Sequence, residues 1–178
     1  MKKAIIFLTD GFEEMEALVT ADILRRAGVD VELSSITGKP EVTGSHEIKV
    51  IADSVLSEDA VADMLILPGG PGAAAYIGNQ ALIDALTRQS NQSGYIAAIC
   101  AAPVTLGKLG LLKNKSATCY PFMKDELNAA AYSTDMVVTD ENITTARGPG
   151  ASAEFGLTLA EILAGTDEML RVKAAMLL

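Results

Sequence analysis

The stretch Tyr95-Ile96-Ala97-Ala98-Ile99-Cys100-Ala101-Ala102-Pro103 reads as a buried strand that ends in a cysteine and passes at once into the start of a helix. A junction this abrupt needs a sharp turn, a nucleophile elbow, and it holds the thiol out at the carboxyl end of a sheet. The helix start sets unpaired backbone N–H groups and the positive end of a macrodipole beside the sulfur. Both favour thiolate over thiol, which is how a cysteine becomes a nucleophile. The competing reading is a small buried apolar residue, the usual state of a free cysteine.

Working outward, strands and helices alternate along the whole chain. Residues 4–9 form a continuous apolar strand, followed by a helix over 13–27 with Met15, Leu18, Val19, Ile23 and Leu24 at helical spacing. Asp10 and Glu13 have the separation of a capping box, and Gly28 stands where that helix should stop. A second strand covers 29–35, and residues 41–51 around Gly44 read as an antiparallel excursion or hairpin. Met64–Leu67 is a short buried strand running into Pro68-Gly69-Gly70-Pro71-Gly72, and a helix over 81–89 leads to the 95–99 strand. A helix over 101–109, paired strands at 136–139 and 143–145, and helices over 152–164 and 167–178 complete the order. This alternation predicts a doubly wound, mostly parallel α/β sheet between helices, built as one domain over 1–178. Ligands of such sheets gather beyond the carboxyl ends of the strands. The segments Thr9–Gly11, Gly69-Gly70, Cys100 and Arg147-Gly148-Pro149-Gly150 can all reach that edge.

Composition narrows the partners. With 178 residues the chain is long enough for one well-buried domain and short for two. The net charge of −9, without a Lys/Arg run, argues against nucleic acid and anionic membranes as partners. The amino-terminal apolar run is interrupted early by Asp10, Glu13 and Glu14, so it reads as a strand and not a signal peptide. No apolar stretch approaches membrane-spanning length. Two cysteines and an exposed-looking thiol suit a reducing cytoplasm.

Other residues compete for chemical roles. The Pro68–Gly72 loop lacks the Lys-Ser/Thr of a P-loop and the spacing of a dinucleotide fingerprint. Its glycines are better suited to a tight turn, or to presenting an N–H to a developing oxyanion with the Ala101 N–H as second donor. Glu13 and Glu14 read as first-turn acids complementing the helix dipole. Glu16 has apolar neighbours in Met15, Ala17 and Leu18, so burial would keep it protonated and able to donate to a thiolate or shuttle a proton. His46, the sole histidine, reads as solvated, and no metal constellation is evident. No Gly-x-Ser-x-Gly elbow supports serine hydrolase chemistry. Cys119 and Tyr120 fall in a probable strand, where neighbours face opposite ways, so a Cys100–Cys119 disulfide is not expected.

Five ordered motifs resemble the ThiJ/PfpI superfamily over essentially the whole chain, in the branch containing the parkinsonism-associated deglycases. They are Asp10-Gly11-Phe12-Glu13-Glu14-Met15-Glu16, Leu67-Pro68-Gly69-Gly70, Ala97-Ala98-Ile99-Cys100-Ala101-Ala102-Pro103, Tyr120-Pro121 with Lys124-Asp125, and Arg147-Gly148-Pro149-Gly150. The resemblance implies a flavodoxin-like sandwich, a homodimer, and a reactive Cys100 hydrogen-bonded to a protonated Glu16. It also implies Gly70 and Ala101 as backbone donors near the sulfur, with Gly69, Tyr120, Arg147, Gly148 and Pro149 around the substrate. Many relatives carry histidine where this chain has Tyr120, and a phenol is a poor base near neutral pH. A Cys-His protease dyad is therefore unsupported, which leaves Glu16 as the proton carrier.

The branch is credited with cofactor-free chemistry on reactive dicarbonyls, converting methylglyoxal to lactate and releasing early glycation adducts. These residues are compatible with that activity on small aldehyde or glycated substrates, with no cofactor and no metal required. The alternative function is an oxidative-stress sensor or redox-responsive chaperone in which Cys100 becomes a sulfinic acid, since thiolates are also the oxidisable form.

Overall fold

The computed structural model describes residues 1–58 and 60–178. Strand β1 (Lys3–Leu8) leads to helix α1 (Glu14–Arg26) and strand β2 (Asp30–Ser35). A hairpin of β3 (Glu41–Thr43) and β4 (Lys49–Ile51) precedes the edge strand β5 (Ser54–Val55) and then β6 (Met64–Leu67). After α2 (Gln80–Asn91), β7 (Tyr95–Ile99) and α3 (Pro103–Lys108) come two short strands, β8 (Ser116–Ala117) and β9 (Ala131–Tyr132). The chain closes with β10 (Val137–Asp140), β11 (Ile143–Ala146), α4 (Ser152–Ala164) and α5 (Thr166–Ala175).

Among the described residues, one seven-stranded sheet runs in the order β10-β11-β7-β6-β1-β2-β5. Every neighbouring pair in it is parallel except β10 with β11, which pair antiparallel across the Asp140–Ile143 turn. The mostly parallel, doubly wound reading is thus correct, and β3–β4 is the expected antiparallel excursion. The central strands are apolar on both faces because helices cover both. Ile6, Leu8, Ile66, Ala97 and Ile99 face α1 and α4, packing with Leu24, Phe155 and Leu159. Their alternates Ile5, Phe7, Leu65, Leu67 and Ala98 face α2 and α3, packing with Leu82, Leu86 and Leu106. Truncating one of these fully buried chains, such as Phe7 or Leu86, costs about 2–5 kcal/mol.

Local chemistry sets the ends of α1, the helix that carries Glu16. Glu13 is the N-cap, and its side chain accepts the Glu16 N–H at 2.8 Å. Asp10 does not complete the expected capping box. Its carboxylate accepts the Thr43 N–H at 2.9 Å instead, tying the β1–α1 loop to the hairpin. Gly28 follows the helix at φ +76°, a left-handed stop that glycine adopts without strain.

Two other expectations need correction near the site. Helix α3 begins at Pro103, so Ala101 and Ala102 belong to the turn after Cys100. The strand around Cys119 ends at Ala117, and residues 118–120 form a loop leading into a 3-10 turn at Pro121–Glu126. Among the described residues no helix is long and apolar enough to cross a membrane.

Candidate functional site at the carboxyl edge of the sheet

Cys100 follows β7 directly and has φ +67°, a left-handed conformation that costs a non-glycine residue about 1–3 kcal/mol. Neighbouring chain holds it there: its N–H donates to Ala146 O of β11, and its carbonyl accepts the Tyr120 N–H, both at 2.8 Å. The end of β6 lies beside it. Gly70 has φ +91°, and a Cβ there would lie 2.6 Å from Glu13 N and from Gly11 O. The loops after β1 and β6 touch at this point, and only glycine lets them do so.

Glu16, one turn into α1, is wholly buried on the far side of Gly69. The Gly69 N–H donates to its Oε2 at 2.7 Å, while Oε1 has no hydrogen-bond partner among the described residues. Burial pushes the carboxyl up from its ordinary 4.5 to about 7, with the Gly69 N–H and the Cys100 thiol acting against that rise. The Cys100 thiol is itself pushed up to about 12, by burial first and then by the Glu16 carboxylate. The Gly70 and Ala101 N–H groups pull it down, but less strongly. This corrects the expectation of a thiol lowered by the helix start. The helix proper begins three residues later and has only six residues, while the buried acid is immediate. Cys100 and Glu16 therefore titrate as a pair. Loss of one proton leaves either thiol with carboxylate or thiolate with carboxylic acid, two states of equal charge. In the second state the carboxylic acid can donate a hydrogen bond to the sulfur.

A pocket of about 670 Å³ opens over the sulfur. Cys100, Gly70, Ala101, Tyr120 and Pro149 all line it, so these five expected residues converge. Ala74, Ile77, Val104 and Met123 give it apolar walls. Glu16 and Gly69 stand behind Cys100 and not on the pocket surface. Gly148 backs the site closely enough that a Cβ there would lie 4.0 Å from Cys100 Sγ. Arg147 is not part of the lining. Its guanidinium donates to Thr134 O at 3.0 Å, bracing the loop before β10. Cys119 is fully buried in the opposite core layer, where its thiol donates to Tyr120 O at 3.3 Å and burial pushes it up to about 11. Both cysteines are free thiols.

One contributor escaped the sequence reading. Glu14 stands in the first turn of α1 as expected, but it is also buried beneath the β3–β4 hairpin. Its Oε1 accepts the His46 N–H at 2.7 Å, and its Oε2 meets His46 Nδ1 at 2.9 Å and Ser45 Oγ at 3.2 Å. Burial alone would raise this carboxyl, but those bonds outweigh it and bring it down to about 2. In return, Glu14 holds the His46 imidazole above its ordinary value. Glu13, Ser45 and His46 all line the pocket that contains Cys100. Glu13, Glu14 and His46 present ligand-type atoms within 4.8 Å of one another. The Glu14 oxygens and one Glu13 oxygen are already engaged by hydrogen bonds, so the group acts as a network within the protein. Nothing in the local spacing signals this pairing, because it joins residues 32 apart through the docking of a hairpin.

Known proteins are similar to this chain over nearly its whole length. The pattern described as the DJ-1/PfpI family matches residues 2–162. Protein dj-1beta of Drosophila melanogaster is 41% identical over 181 residues, covering 99% of this chain and 97% of its own length. Its crystal structure superposes with a TM-score of 0.96 over 99% of this chain and 98% of that one, at 40% identity. A Caenorhabditis elegans protein named glutathione-independent glyoxalase DJR-1.2 is 31% identical, covering 94% of this chain and 91% of its own length. The structure of Toxoplasma gondii DJ-1, described as oxidized, matches with a TM-score of 0.96 at 33% identity, covering 99% of this chain and 98% of that one.

Proposed function

The chain belongs to the DJ-1/PfpI family, and from that premise we propose that it is a cofactor-independent cysteine enzyme acting on small reactive dicarbonyls. The observation that carries the reading is the Cys100–Glu16 pair. A strained cysteine on the lining of a pocket stands against a buried acid, and the Gly70 and Ala101 N–H groups favour its thiolate. The family supplies the coarser support, through a nematode relative that carries a glyoxalase name.

With methylglyoxal, the Cys100 thiolate attacks the aldehyde carbon and forms a C–S bond. The aldehyde oxygen takes the Glu16 proton and is steadied by the Gly70 and Ala101 N–H groups, giving a hemithioacetal. Glu16, now a carboxylate, removes the proton from the carbon bearing sulfur. It returns that proton to the neighbouring carbon, while the hemithioacetal hydroxyl gives up its proton to become the thioester carbonyl and the ketone oxygen takes one up to become the alcohol. The result is a lactoyl thioester. Water then cleaves it to lactate and restores the cysteine. Oxidation state is redistributed within the substrate, so no external oxidant or reductant enters. The test is methylglyoxal consumption by the wild type and by Cys100→Ser. Turnover that disappears in the variant supports the reading, and a wild type no faster than buffer overturns it.

A second reading has its own observation. The same cysteine is suited to oxidation as a stress sensor, and a structural relative is described in oxidized form. Glu16 and the two N–H groups would then hold a sulfinate in place of the thiolate.

A further inference from the structure

The last step of the proposed reaction needs a base that meets the incoming water. Glu16 serves the atoms next to the sulfur but lies behind Gly69 and off the pocket lining. Tyr120 lines the pocket but brings a phenol, a poor base near neutral pH. His46 lines the same pocket, on the hairpin side, and its Nδ1 is fixed by the buried Glu14 carboxylate at 2.9 Å. A second bond, from the His46 backbone N–H to Glu14 Oε1 at 2.7 Å, fixes the turn that carries the ring. An imidazole held at Nδ1 by a buried carboxylate takes the tautomer with its proton there, leaving the Nε2 lone pair free to accept one.

We infer that His46, oriented by Glu14, is the base that activates the water cleaving the acyl thioester on Cys100. The inference rests on the dicarbonyl reading for its natural thioester but not for its test. In the step, His46 Nε2 takes a proton from water as the water oxygen bonds to the acyl carbon. The carbon–sulfur bond then breaks, the carboxylic product leaves, and Cys100 departs as thiolate. His46 passes its proton to the Cys100–Glu16 pair or to solvent. Glu14 is a positioning residue here, acting through the ring. The charged groups facing His46 are Glu14 and Glu13 on α1. Lys108 and Glu126, on the same pocket, are tied to each other at 3.2 Å.

Acylation by p-nitrophenyl acetate isolates the step, because it loads Cys100 without any aldehyde chemistry. The burst of p-nitrophenolate reads acylation, and the steady state reads thioester cleavage. His46→Gln should keep the wild-type burst and lose about 100-fold in steady-state rate, the scale of a general base. Hydroxylamine, which attacks thioesters unaided, should restore it. Glu14→Gln should move the pH midpoint of cleavage downward, in step with the proton NMR titration of the chain's single histidine. An unchanged steady state in His46→Gln overturns the inference, as does a wild type that forms no acyl group on Cys100. If His46-dependent cleavage holds but methylglyoxal is not consumed, the dicarbonyl reading alone fails. If consumption needs Cys100 but not His46, this inference alone fails.

Discussion

Gly69 stands so close to Cys100 that a Cβ built on it would lie 2.6 Å from the cysteine Cβ and 2.8 Å from Glu16 Oε2. The absence of one side chain is therefore what lets nucleophile and acid meet. Gly69→Ala should push them apart, slowing iodoacetamide alkylation of Cys100 at least tenfold and costing about 1–3 kcal/mol in urea unfolding. Alkylation at the wild-type rate would show that the two groups do not depend on this contact.

The pair should also be visible as a single ionisation. Below about pH 7 Glu16 holds its proton and Cys100 is a thiol; above it the pair has lost the carboxyl proton, and thiolate becomes accessible by transfer of the thiol proton to the Glu16 carboxylate. Cys100 alkylation in the wild type should rise with a midpoint near pH 7. In Glu16→Gln that midpoint should vanish, and methylglyoxal turnover should fall by about 100-fold or more. The same midpoint in the variant would mean that the carboxyl and the thiol titrate independently.

Stability should carry the signatures of two carboxyls shifted in opposite directions. Glu16 is raised to about 7, so the folded state retains a proton that the unfolded chain releases near 4.5. Its contribution therefore falls as pH rises from about 4.5 to about 7 and is level above that. Glu14 is lowered to about 2, so its contribution is complete above about 4.5 and is lost as pH falls towards 2. Urea midpoints of Glu16→Gln relative to wild type should climb between pH 4.5 and 7. Those of Glu14→Gln should converge on wild type as the solution is acidified below 4.5. Parallel curves across both windows would contradict these assignments.

Mild peroxide should discriminate between the cysteines. Cys100 lies on the pocket and shares a proton with Glu16, whereas Cys119 is fully buried with its thiol given to Tyr120 O. Mass spectrometry should find two oxygens added at Cys100 before any at Cys119. Equal oxidation at both would remove the basis for the sensor reading.

The sheet was legible because β6 and β7 are apolar runs bounded by turn residues, and helices separate the strands in order. Cys100 and Glu16 were legible for a related reason: each breaks a local pattern, a thiol at a strand end and an acid among apolar helix neighbours. What stayed hidden depends on tertiary docking. Asp10 serves the hairpin and not its own helix, Glu14 is buried only because residues 44–46 fold over it, and Arg147 reaches Thr134. The ionisation of Cys100 is hidden from the sequence for the same reason. Helix-start amides can be read from a sequence, but the desolvation that opposes them can be read only from the packed structure.

The left-handed backbone at Cys100 has a consequence for anyone engineering this protein. Glycine would adopt φ +67° without penalty, so Cys100→Gly relieves strain that the native residue maintains. A screen that ranks variants by heat resistance alone would favour replacing the nucleophile. Thermal tolerance and chemistry are in direct conflict at this one position, and selection for hardiness must be paired with a reactivity assay to keep the thiol.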